Sequence, residues 1–97
     1  MLNRQFNPPH PGEIISESFL DPNGLSIREV AKHLKVSPPT FAKVIRGDAS
    51  ITPEMAWKLS VTLGPSPEMW LGLQMDYDLW QAGQKEEHLN SLPLQLA

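Results

Sequence analysis

The chain has 97 residues, is 40% hydrophobic, contains no cysteine and carries a formal net charge of −3. This length suits a single small core, and the lack of cysteine excludes disulfides and thiolate metal sites. No apolar run approaches the roughly 20 residues that span a bilayer, and the first residues lack the apolar stretch of a signal peptide. We therefore expect one soluble, cytoplasmic domain.

Residues 1–9 are predicted to form an extended arm, because they lack periodicity and end in a proline pair. The first predicted helix opens at His10, with Pro11 preset for the first turn. His10, Glu13 and Glu17 follow at helical spacing, so we considered a metal or acid–base site. A histidine beside a helix start usually caps it, and no second ligand cluster follows. We expect no metal ion and no cofactor.

Residues 26–47 predict two short helices joined by a tight turn, a helix-turn-helix. Ser26 and Glu29 form a capping box, Ser37 is a second N-cap, and Gly47 is a helix stop. The apolar residues of both helices recur at helical spacing: Ile27, Val30, Ala31, Leu34, Phe41, Val44 and Ile45. The second helix leaves a strip of donors facing solvent: Thr40, Lys43 and Arg46.

This helix pair has the shape that enters a DNA major groove, although similar pairs also serve purely structural roles. Charge favours DNA binding. Residues 28–58 carry six basic and three acidic side chains, which gives +3, whereas the remainder of the chain carries −6. The sequence therefore predicts one basic face on an acidic body.

Asp21 to Gly24 has the composition of a turn. Two further helices are predicted to open at Thr52-Pro53 and at Ser66-Pro67. The last helix, residues 67–82, is apolar on two faces, which a small domain cannot easily bury alone. We expect a dimer interface here, formed by Trp70, Leu71, Leu73, Met75, Tyr77, Leu79 and Trp80.

The alternative to a dimer is that the partly ordered tail, residues 83–97, folds back over this helix. Its leucines would then cover the second apolar face: Leu89, Leu92, Leu94 and Leu96. A two-fold dimer would place two recognition helices about 34 Å apart, as a palindromic operator requires. We therefore divide the chain into an arm (1–9), a helix-turn-helix domain with a C-terminal dimerisation helix (10–82) and a tail (83–97).

Several motifs together resemble the HigA-type antitoxins of bacterial toxin–antitoxin modules, which carry the helix-turn-helix of the Cro/cI repressor class. The resemblance covers roughly residues 6 to 82. It rests on the motifs at residues 10–14, 24–26, 31–37, 51–56 and 70–79. It implies an all-α, compact five-helix lambda-repressor-like fold. It also implies a homodimer that binds the operator DNA of its own operon and neutralises a HigB-type toxin, a RelE-like mRNA endonuclease.

The resemblance also assigns candidate DNA contacts, with departures from the class pattern. Ile27 stands where the class often has a phosphate-binding glutamine, and Lys35 replaces the turn glycine. Prolines occupy the first two positions of the recognition helix, and their rings can pack on a thymine methyl group. The expected DNA-binding residues are Arg28, Lys32, Ser37, Pro38, Pro39, Thr40, Lys43 and Arg46.

Glu13 and Glu17 are the candidate toxin contacts, because a toxin that cleaves RNA should be basic. Two other functions stay open: a toxin-blocking module with weak or vestigial DNA binding, and a solitary phage-like repressor. We do not expect an enzyme, since the sequence has no nucleophile elbow, no phosphate-binding glycine loop and no metal quartet.

Overall fold

The computed structural model describes residues 7–85 and 90–96, and every regular element in those ranges is helical. The first helix runs from Pro11–Ile15 through a π-helical segment, Ser16–Leu20, into a last turn, Asp21–Asn23; we call this continuous helix α1. It is followed by α2 (Ile27–Leu34), α3 (Pro38–Arg46), α4 (Pro53–Leu63) and α5 (Pro67–Gly83). The predicted all-α, five-helix class is confirmed. The predictions for residues 1–6, 86–89 and 97 lie outside the described residues.

The end of α1 differs from the sequence prediction. The predicted turn is helical up to Asn23, and Gly24 ends the helix with φ 62°. In an ordinary α-helix the ring of Pro22 would collide with the carbonyl four residues earlier. Here the helix is wider: the Asp21 N–H donates to the Ser16 carbonyl, and the Leu25 N–H donates to the Leu20 carbonyl at 2.9 Å. Bonds to the fifth preceding residue therefore accommodate the proline.

The predicted helix starts are confirmed. The Ser26 hydroxyl accepts from the Glu29 N–H at 3.0 Å, and the Glu29 carboxylate accepts from the Ser26 N–H at 3.2 Å, which completes the capping box. Three further N-caps accept from the N–H three residues on: Ser37, Thr52 and Ser66. The turn between α2 and α3 forms although Lys35, with φ 59°, replaces the glycine usual at such a left-handed position.

All five helices contribute to the core, and Trp70 and Phe41 are its largest fully buried side chains. The Trp70 ring lies 5.7 Å from the ring of Phe19, between centroids. The prediction that Trp70 belongs to the dimer interface is therefore wrong, because the chain's own helices enclose this side chain completely. Its place on an apolar face of α5 indicates that it is buried, but not which chain buries it.

The second apolar face of α5 consists of Leu71, Met75 and Leu79. In the single chain Met75 is 56% and Leu79 45% exposed. The described tail does not cover this face, since Leu92, Leu94 and Leu96 are each more than four-fifths exposed. The tail-cover alternative is therefore wrong for these leucines, whereas Leu89 lies outside the described residues. A further apolar pair, which the sequence analysis did not identify, is exposed on α4: Trp57 and Val61.

Candidate nucleic-acid interface

The helix α3 exposes most of the residues predicted to bind DNA. Pro39, Lys43 and Arg46 are all exposed and follow at spacings of four and three, which places them on one line along the helix. Phe41 and Val44 are buried on the opposite side. The outward line of α3 thus begins with a proline ring and continues with two cations.

The first turn of α3 offers few hydrogen-bond donors. Pro38 and Pro39 have no N–H group, and the Thr40 N–H donates to the Ser37 hydroxyl at 3.3 Å. The Ser37 and Thr40 hydroxyl oxygens are 2.7 Å apart and share a hydrogen bond. The Phe41 N–H donates to the Ser37 carbonyl at 3.1 Å. The backbone donors of this helix end are therefore absent or already used within the chain.

The cationic side chains on α3 and on the neighbouring α2 differ in whether they form an ion pair. Arg28 and Lys32 on α2 and Lys43 on α3 are exposed and form no ion pair with any other residue in the described ranges. Arg46, in contrast, donates from Nε to the Asp48 carboxylate at 3.1 Å. Of the four cationic side chains predicted to bind DNA, three are thus available to a ligand, and the fourth, Arg46, is paired with an acidic neighbour.

The position of α3 depends on a close approach by the start of α1. Gly12 is buried against the last turn of α3, where an added Cβ would lie 1.9 Å from the Val44 carbonyl oxygen and 2.7 Å from that of Ile45. Both neighbours are backbone atoms, which cannot rotate away as a side chain can. Only glycine therefore permits this crossing of α1 and α3.

His10 joins the same region to α5. Its Nδ1 accepts from the Gly12 N–H at 2.9 Å, and its ring meets the Tyr77 ring edge-on at 4.9 Å between centroids. Burial lowers the pKa of His10 below the usual 6.5 and outweighs the nearby Asp78 carboxylate and a hydrogen bond with the Ala49 backbone, both of which favour the charged form. A neutral ring fits this site, because a protonated Nδ1 could not accept from Gly12.

Gln74 fixes the loop between α3 and α4 to α5. Its buried side-chain oxygen accepts from the Ile51 N–H at 2.8 Å, and its amide donates to the Asp78 carboxylate at 3.0 Å. We call the contacts of His10, Gly12 and Gln74 the α1–α5 clamp. Periodicity and capping signals do not predict these roles, although all three residues lie in motifs that carried the family resemblance.

The candidate toxin contacts lie beside the clamp. Glu13 and Glu17 are exposed on α1 and line an open groove together with His10, Asp21 and Arg46. No group of three His, Asp or Glu side chains in the described part of the chain is arranged to hold a metal ion. Nor do those residues include a helix that is long and apolar enough to cross a membrane.

This geometry has close parallels. A helix-turn-helix family model matches residues 17–71, more than half of the chain. The structure of the antitoxin HigA of Pseudomonas aeruginosa with the higBA promoter is 36% identical with a TM-score of 0.80, over 91% of this chain and 99% of that one. The chain belongs to the HigA-type helix-turn-helix family.

Two further comparisons extend this HigA-type similarity. Antitoxin GraA in complex with its operator is 35% identical with a TM-score of 0.87, and the match covers both chains completely. The uncharacterised helix-turn-helix transcriptional regulator YddM of Escherichia coli K12 is 49% identical over 76 residues, which is 78% of this chain and 80% of that protein. Both the fold and the sequence of this HigA-type chain thus match proteins of the regulator and antitoxin kind over most of their length.

Proposed function

We propose that the chain is an antitoxin and transcriptional autorepressor, which acts in the cytoplasm by binding and not by catalysis. As a homodimer it binds a palindromic operator of its own toxin–antitoxin operon, and it neutralises a HigB/RelE-like mRNA endonuclease. The observation that carries this proposal is the exposed line of α3, flanked by the unpaired cations of α2, in a fold shared with an operator-bound antitoxin.

The exposed groups divide into two roles on the duplex. Arg28 and Lys32 on α2 bind backbone phosphates, which positions the domain. Lys43 lies on the outward line of α3 and reaches base edges in the major groove, whereas Arg46 lies one turn further on and binds phosphate. Salt should weaken this binding steeply, since each phosphate contact releases counterions.

The first test is a gel shift with DNA from upstream of the chain's own operon, in about 150 mM salt with scrambled competitor, so that non-specific phosphate binding is suppressed. We expect a discrete band that resists competition and is lost in the double variant Lys43→Ala/Arg46→Ala. Lys85→Ala removes a positive charge outside the helix-turn-helix and should leave the band unchanged. If the double variant bound the operator as well as the unmodified protein does, the proposal that Lys43 and Arg46 contact DNA would be refuted.

Helix α5 is the proposed dimer interface, through the predicted residues other than Trp70: Leu71, Leu73, Met75, Tyr77, Leu79 and Trp80. Leu71 and Leu73 also pack against the core of their own chain, and Tyr77 against His10. Met75 and Leu79 are the members that the single chain leaves most open. Light scattering should therefore show a monomer for Leu79→Glu, because a charge would be buried without a partner. Val61→Glu, on the exposed face of α4, is the matched control and should remain dimeric. The reverse result would move the interface to α4.

Glu13 and Glu17 are the proposed toxin contacts, because their carboxylates lie on an acidic face and an RNA-cleaving toxin needs a basic one. The double reversal Glu13→Lys/Glu17→Lys should abolish co-purification with the toxin encoded beside this gene. Glu68→Lys, a reversal on α5, provides the control. Undiminished co-purification of the double variant would exclude this surface.

One observation favours a second function, that of a toxin-blocking module with only weak DNA binding. The recognition helix begins with two prolines, and the Thr40 N–H and one of the hydroxyl protons of Ser37 and Thr40 are used within the chain. Such a module would neutralise toxin while showing equal affinity for operator and scrambled DNA. The gel shift described above therefore separates the two functions.

A further inference from the structure

The first turn of α3 has few of the backbone donors that a recognition-helix N-terminus usually offers to DNA. Such a helix end commonly offers free N–H groups and polar side chains to phosphates and base edges. Here two residues have no N–H, and the Thr40 N–H is held by the Ser37 cap at 3.3 Å. Besides the hydroxyl groups of Ser37 and Thr40, the first turn presents the carbon atoms of two proline rings.

Of the two prolines, only Pro39 lies on the outward line of α3, together with Lys43 and Arg46. At 3.6 residues per turn, Pro39, Lys43 and Arg46 fall within an arc of about 60°, opposite the buried Phe41 and Val44. Pro38 and Thr40 each lie about 100° around the helix from Pro39 on the same geometry. A helix that places Lys43 against base edges therefore brings the Pro39 ring to them as well.

The major groove offers one apolar group to such a ring, the C5-methyl group of thymine. We propose that Pro39 recognises a thymine methyl group in each operator half-site, in contact with the carbon atoms of its ring. This inference rests on the proposed operator binding and adds the chemical class of base that the first turn selects. Lys43 then reads a guanine through its O6 and N7 acceptors.

The distance between the two contacts follows from the helix. Residues 39 and 43 are four apart, a rise of about 6 Å along the axis, which is close to two base-pair steps. The thymine and the guanine should therefore lie within about two base pairs of each other in each half-site.

The test replaces each thymine of the operator in turn by uracil, which removes only the methyl group and keeps the base pairing. With the unmodified protein, uracil at one symmetric position should weaken binding about fourfold in each half-site, the factor expected from burial of one methyl group. In Pro39→Ala, thymine and uracil at that position should bind equally. Pro67→Ala, which also removes a first-turn proline but lies on α5, should keep the preference for thymine.

Thermal unfolding of each variant establishes that it is folded, and the uracil series itself needs no variant. If no uracil position weakens binding, or if Pro39→Ala retains the preference, the inference is overturned while operator binding stands. If the unmodified protein forms no specific complex with any operator fragment, the proposed function fails and this inference fails with it.

Discussion

The helix-turn-helix and the α1–α5 clamp are built in different ways. In the helix-turn-helix, caps and stops act within three or four residues, as in the bonds between Ser26 and Glu29. In the clamp, Gly12 meets the backbone of Val44, and Gln74 bonds to the N–H of Ile51, 23 residues away. Local signals thus define the exposed surface, and long-range contacts determine where that surface sits.

Gly12→Ala should have the largest effect, because it acts on the clamp where two backbones cross. The new methyl group would overlap the Val44 carbonyl oxygen, so α1 must move away from α3. We expect a loss of about 3 kcal/mol or more in the free energy of unfolding, the upper range for overpacking a core. Urea denaturation followed by circular dichroism measures it.

Gly83→Ala is the matched control for this substitution. Gly83 is the exposed last residue of α5, and an added Cβ there meets no neighbouring atom within 4 Å. Alanine should therefore stabilise the domain slightly, by at most about 1 kcal/mol, through its better helix propensity. Equal effects of the two substitutions would show that the crossing at Gly12 is not a constraint.

Gln74→Leu should have the next largest effect. It keeps the volume of the side chain but leaves the buried N–H of Ile51 without an acceptor, which costs about 1 to 3 kcal/mol. Hydrogen exchange of the Ile51 amide should accelerate more than that of amides in α2. Gln81→Leu, the same change at an exposed position of α5, should change neither measurement. Unchanged Ile51 exchange in Gln74→Leu would remove this bond from the clamp.

His10 makes the clamp sensitive to pH. Because the pKa of His10 in the folded chain is lowered by burial, the unfolded chain binds more protons as the pH falls below about 6.5. The contribution of His10 to the free energy of unfolding is therefore fully present above this pH. It decreases below this pH, by at most about 1.4 kcal/mol per pH unit. His10→Asn can still cap the helix but does not titrate, so unfolding between pH 7 and 5 should become less pH-dependent. Identical pH profiles would contradict this role.

The difference between local signals and long-range contacts also explains which features could be predicted from the sequence. The five helices and the exposed positions of Lys43 and Arg46 follow from caps, stops and apolar periodicity, which are properties of neighbouring residues. The roles of Gly12 and Gln74 depend on which distant backbone lies against them, and periodicity carries no information about that. The predicted turn at residues 21–24 was wrong for a related reason, since Pro22 fits into a helix only because the wider π-helical turns precede it. Trp70 was correctly predicted to be buried but was assigned to the wrong partner.

Asp48→Asn should have the smallest effect, and it acts on the exposed surface of the helix-turn-helix and not on the clamp. Asp48→Asn removes the acid that now shares the Arg46 guanidinium, and both side chains of this pair are more than half exposed. An exposed ion pair is worth about 0.2 to 1 kcal/mol, so the fold should barely change. Operator affinity should rise a few-fold in low salt, and the gain should shrink as salt screens the charges. Glu54→Gln, which releases Lys58 from a similar pair at 3.3 Å, is the control. A gain confined to Asp48→Asn would show that the last turn of α3 reaches the duplex, whereas equal gains would reflect net charge alone.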